Sequence, residues 1–134
     1  MTTEDYVSFE TAKLLKEKGF DVYVHSFYDA DDMPAQHNEA LWDWNLNKEN
    51  YRFSAPTLQM TMKWLREVHN IHINLDIHWL YFANSKGWMY TIERILENGI
   101  EYVDSKGDEN DKTFYLTYEE ACEAGIRHCL ENLI

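Results

Sequence analysis

The sequence predicts an α+β fold: a single-domain two-layer sandwich, with an antiparallel β-meander of three to four strands and two to three helices packed on one face. Three observations predict it. Ile71-His72-Ile73-Asn74-Leu75-Asp76-Ile77-His78-Trp79 alternates apolar and polar residues without a break, the period of a strand with one face on a core. Thr57 and Thr117 each head a segment with apolar residues at helical spacing, where a hydroxyl can cap the first turn. Asn84-Ser85-Lys86-Gly87 and Asn98-Gly99 are turn sequences between extended segments, so these strands follow one another as hairpins.

The first helix opens at Ser8, a natural N-cap, with Phe9, Ala12 and Leu15 on its apolar face. Lys16 and Lys18 suit the negative end of its dipole, and Gly19 suits the left-handed position that ends it. Phe20 to Tyr28 alternates weakly and reads as a strand. Asp29 to Asn50 reads as a loop, acidic at first and then carrying Trp42 and Trp44. The second helix runs from Pro56-Thr57 to about His69, with Leu58, Met62, Leu65 and Val68 as its buried stripe.

The alternating strand follows directly. Asn84 to Gly87 turns the chain, Trp88 to Ile95 returns, Asn98-Gly99 turns it again, and Ile100 to Val103 makes a third strand. Ser105 to Lys112 is a polar loop and Thr113 to Leu116 a short fourth strand. Thr117-Tyr118-Glu119-Glu120 is a capping box that starts the last helix, whose apolar face includes Ala121, Cys122, Gly125, Ile126, Cys129, Leu130 and Leu133. Glycine costs about 1 kcal/mol relative to alanine within a helix, so Gly125 implies close packing against the sheet.

One domain over residues 1–134 accommodates this pattern, and the chain is long enough to bury a core without staples. Aromatic residues make up 15%, with only two prolines and five glycines, a composition unlike that of disordered chains. No apolar run approaches the ~20 residues that span a bilayer, and Met1-Thr2-Thr3-Glu4-Asp5 lacks the start of a secretory signal. A cytoplasmic location with no membrane contact is expected. Cys122 and Cys129 lie on one predicted helix, separated by about 10 Å of rise, too far for a disulfide, and are expected to be buried thiols.

The net charge of −12 is distributed unevenly. Residues 1–56 carry eleven acids against five bases and residues 97–134 ten against three, whereas residues 57–96 have three acids and four bases. Phosphate backbones are held by clustered Lys and Arg, and no such cluster occurs, so nucleic acid is not an expected partner.

Three blocks carry a resemblance that spans nearly the whole chain. They are Ser8-Phe9-Glu10-Thr11-Ala12-Lys13-Leu14-Leu15-Lys16-Glu17-Lys18-Gly19-Phe20; Ser54-Ala55-Pro56-Thr57-Leu58 with Lys63-Trp64-Leu65-Arg66-Glu67-Val68-His69-Asn70-Ile71-His72; and Tyr118-Glu119-Glu120-Ala121 with Glu123-Ala124-Gly125-Ile126. Together they resemble a group of small uncharacterised proteins of Bacteroidetes genomes and their phages or prophages. The resemblance implies a mobile-element origin and a cytoplasmic protein, and carries over no catalytic residue.

Catalytic signatures are sparse. The glycines stand alone, the five serines lie outside any nucleophile elbow, and neither His-Glu-x-x-His nor Cys-x-x-Cys occurs. Asp29-Ala30-Asp31-Asp32 opens like a calcium loop, but Pro34 and Ala40 stand where Gly and Glu are needed. Asp76 and His78 are spaced to share a metal ion on one strand face. His72 lies roughly 13 Å from Asp76 along that strand, too far to join it. The wetted side of an antiparallel sheet explains the polar parity without a metal, so neither metal nor cofactor is expected.

Trp42, Trp44, Tyr51 and Phe53 crowd the loop-like stretch, either as a lid over the core or as an exposed anchor for a partner. Two function classes follow. The first is a non-enzymatic acidic accessory protein that binds a protein partner or forms a homodimer, and it is the one the acidity, aromatic content and missing motifs favour. The second is a small-ligand binder or enzyme with a pocket between the sheet and the Trp-rich loop. There Lys63, Arg66, Lys86 and Arg94 would supply charge for an anion such as a nucleotide.

Overall fold

The computed structural model describes residues 5–29, 35–46, 52–108 and 114–134. In chain order the elements are α1 (Phe9–Glu17), β1 (Val24–Tyr28), β2 (Gln36–Trp42), β3 (Phe53–Ser54), α2 (Leu58–His69), β4 (Ile71–Leu80), β5 (Ser85–Leu96), β6 (Gly99–Lys106) and α3 (Tyr118–Asn132). The fold is α+β, with two small antiparallel sheets ordered β2-β1-β3 and β4-β5-β6. The second sheet is the predicted meander, and α2 and α3 pack on one face of it through Leu65, Ile126 and Leu130 against Ile71, Ile73 and Ile92.

All three helices start where side-chain caps allow. The hydroxyls of Ser8, Thr57 and Thr117 accept from the backbone N–H of Thr11, Met60 and Glu120. Gly19 ends α1 with φ +86°, and Asn70 does the same for α2 at φ 57°, so that β4 begins one residue after the cap. The Glu123 carboxylate of α3 ties α1 to the core. It accepts from the Ser8 N–H at 2.9 Å and from the hydroxyls of Ser8 and Thr11 at 2.5 Å, setting an acid at the positive end of α1.

The structure corrects the sequence reading in five places. Gln36–Trp42, read as loop, is strand β2; all seven residues are exposed, so no apolar alternation marks it. The turn between β4 and β5 is a single 3-10 turn at Tyr81–Ala83 closed by Asn84, while Ser85 to Gly87 already pair with β4. Gly87 is needed for space instead: a Cβ there would lie 2.6 Å from the Leu80 side chain. The third strand extends to Lys106, with a bulge opposite Ile92 and Glu93. The fourth strand is reduced to one bridge between Tyr115 and Trp88, Thr113 lying outside the described residues. Val68 is exposed, and Thr61 and Trp64 take up the buried face of α2 with Leu58, Met62 and Leu65.

Gly125 is where α3 meets the sheet. A Cβ at this position would lie 3.2 Å from Ile73 Cγ2 and 3.2 Å from Tyr90 Cγ, so the helix approaches as closely as its backbone permits. Gly125→Leu is therefore expected to overpack this contact and destabilise the protein by roughly 1–3 kcal/mol. Urea denaturation measures it, and an unchanged midpoint would remove the close-packing argument.

Cys122 and Cys129 are fully buried on the same helix, and burial pushes both thiols up to about 12. Near pH 8 the thiolate population is then about a thousandfold below that of a thiol at the ordinary value of 9.0. Folded protein should react with a disulfide reagent slowly and unfolded protein quickly; fast labelling of both thiols in the folded state would contradict the burial.

Candidate functional site

Strand β4 pairs with β5 in unbroken register from Ile71–Arg94 to Leu80–Ser85. Its polar parity places His72 opposite Glu93, Asn74 opposite Thr91 and Asp76 opposite Met89, on the sheet face without helices. Asn74 Nδ2 donates to Asp76 Oδ2 at 3.0 Å, so the amide is engaged with the carboxylate that a metal would need. Among the described residues no group of three or more His, Cys, Asp or Glu could hold a metal ion.

The apolar parity of β4 divides at its midpoint. Ile71 and Ile73 are buried beneath the helices and Leu75 is half-buried, but Ile77 is 56% and Trp79 47% exposed. The hairpin thus runs out past its helical cover. Beyond it, Tyr81 is 75% and Phe82 60% exposed, and the Phe82 ring stands edge-on to Phe114 at 5.2 Å. Five large exposed apolar side chains thus meet at this end of the sheet, while Ile95, Leu96, Ile100 and Tyr102 are exposed at the opposite end. The sequence does contain the signal, because Tyr81-Phe82 puts two large aromatic residues where a hairpin loop is ordinarily polar.

The four aromatics singled out from the sequence separate. Trp44 is structural: its ring stacks on Phe27 at 4.4 Å and its Nε1 donates to the Val24 carbonyl at 2.9 Å. Buried Asn45 completes the same turn, donating to the Phe20 carbonyl at 3.0 Å and accepting from the Ser54 N–H at 2.9 Å. Half-buried Phe53 packs edge-on against Phe9 at 5.4 Å beneath the Lys16 ammonium. Trp42 is exposed on β2, its ring 5.9 Å from that of Tyr23. Tyr51 lies outside the described residues. Trp44 and Phe53 therefore pack on the core, and Trp42 is an exposed ring.

The four cations are not brought into one site. Lys63 and Arg66 lie on α2; Arg94 borders a small cleft of about 210 Å³ with His69, Asn70, Ile95 and Leu96. Lys86 sits at the other end of β5, eight residues from Arg94 and so roughly 27 Å along the strand. The larger hollows lie elsewhere. One of about 740 Å³ runs between α1 and the Trp44 turn, where Lys13 and Lys16 face Glu10 and Glu17 and leave no net charge for an anion. Another, of about 660 Å³, lies where Asp5, Glu119, Glu120 and Glu123 outnumber Arg127.

No helix among the described residues is long and apolar enough to cross a membrane. No protein-family model matches the chain, and neither a curated protein nor a solved structure is detectably similar to it.

Proposed function

We propose that this is a non-enzymatic acidic accessory protein, cytoplasmic and of phage or mobile-element type, that works by binding a protein partner. One observation carries the reading: Ile77, Trp79, Tyr81 and Phe82 are exposed together at the free end of the β4–β5 hairpin, with Phe114 edge-on to Phe82. Aromatic rings held on a rigid hairpin supply contact area at small entropic cost, which is why Trp and Tyr dominate interface hot spots. A monomer rarely leaves such rings grouped in water without use. The hollows support a small-ligand site less well, since none gathers the four cations.

Tyr81→Ser with Phe82→Ser is expected to leave the fold intact, both side chains being mostly exposed. A protein captured in stoichiometric amount by the wild-type chain from its own host should be lost with this double variant. Equal capture by both, or a specific rise in melting temperature with a nucleotide, would count against the reading.

A further inference from the structure

The outer edge of β4 has a polarity that can be worked out. The N–H of Ile95 donates to the Asn70 carbonyl at 2.8 Å, one step before the Ile71–Arg94 pair. At the other end Trp88, opposite Ile77, donates its N–H to Tyr115 and so points away from β4. Hydrogen-bonded and open pairs alternate along an antiparallel ladder. The even positions of β4 are therefore bonded to β5, and the odd positions direct their N–H and C=O outward. Ile71 and Ile73 are buried there, but from Leu75 to Trp79 the edge is open, and among the described residues no strand pairs with it.

The two edges of this sheet are treated differently by the sequence. β6, at the far side, contains a bulge at Val103 and carries Glu101, Asp104 and Lys106, features that keep an edge from pairing. β4 is ten residues long, regular throughout, and has Asp76 as its single Asp, Glu, Lys or Arg. It has no bulge, lysine or proline, and among the described residues no strand covers it.

We propose that a second copy of this chain adds to the open half of β4, antiparallel about a two-fold axis through Ile77, joining the two meanders into one six-stranded sheet. This rests on the protein-binding reading above and names the partner. With Ile77 opposite itself, Leu75 falls opposite Trp79 of the second copy, and Asp76 falls opposite His78 of the second copy. Each of these two pairs occurs twice, and the Ile77 pair once, on the axis. Apolar meets apolar on the helix side, and a carboxylate meets an imidazole on the other, at the close spacing of a non-hydrogen-bonded pair.

Charge selects a copy for this strip. Over most of its length the chain, at −12, repels its own kind. Residues 57–96, with three acids and four bases, are where two copies can meet without that penalty. A basic partner would be drawn to the acidic segments instead.

The test is sedimentation of the full chain over a wide concentration range. The wild type should reach twice the 16.0 kDa chain mass. Ile77→Lys, an edge lysine at an exposed position, should hold it at the monomer mass with an unchanged circular dichroism spectrum. Ile77→Pro removes an outward N–H without touching the ladder to β5 and should do the same.

His78→Asp should weaken the dimer by setting two carboxylates face to face, and adding Asp76→His on the same chain should restore it. A wild type that stays monomeric, a dimer indifferent to Ile77→Lys, or a double swap that fails to rescue would each overturn the proposal. A monomeric wild type that still captures another protein through Tyr81 and Phe82 would end the dimer while leaving the protein-binding reading in place.

Discussion

The closeness of α3 to the meander governs the rest of the molecule. With no side chain at Gly125, the helix backbone rests against Ile73 and Tyr90, and Ile126, Cys129 and Leu130 follow it into the core. Two residues before Gly125, Glu123 leaves the same helix toward α1 and meets the Ser8 N–H and two hydroxyls. One helix therefore sets two distances, its own height above the sheet and the position of α1. Tyr28 is drawn into the same arrangement: its hydroxyl donates to the Val7 carbonyl at 2.6 Å, and burial, then the Glu123 charge, hold its phenol above the usual range. A larger residue at 125 would shift the helix and strain the Glu123 tie at once.

Much of this architecture was legible because its signals are local. A hydroxyl at an N-cap acts within three residues, and Ser8, Thr57 and Thr117 all cap where the sequence places them. The alternation of β4 is local too, and its register holds from end to end. What escaped depends on distant partners. β2 lies wholly exposed and pairs with β1 through its backbone, which leaves no trace in side-chain pattern. The β4–β5 turn was misplaced because Gly87 resembles turn chemistry, whereas its lack of a side chain makes room for Leu80.

The candidate site was legible only in part, for a related reason. Trp42 and Trp44 are two residues apart and look equivalent in sequence. Their difference comes from Val24 and Phe27, which meet the indole of one and not the other. Lys63, Arg66, Lys86 and Arg94 share a segment of near-neutral charge, but a strand and a helix disperse them. The apolar turn after Trp79 was visible as composition; its exposure follows from where the helices end, which no residue in the turn records.

β4 is one strand with one alternating pattern, yet it has two environments, because the helices that cover Ile71 and Ile73 do not reach Ile77 and Trp79. The apolar parity means core at one end and exposed surface at the other. Burial of the first half anchors the strand and holds its register, so the second half projects as a rigid edge rather than a loose arm. Rigidity matters for binding, since side chains already held in place lose little freedom on contact. The same regularity that builds the core thus continues into the exposed edge, where Asp76 and His78 stand two residues apart on the polar parity.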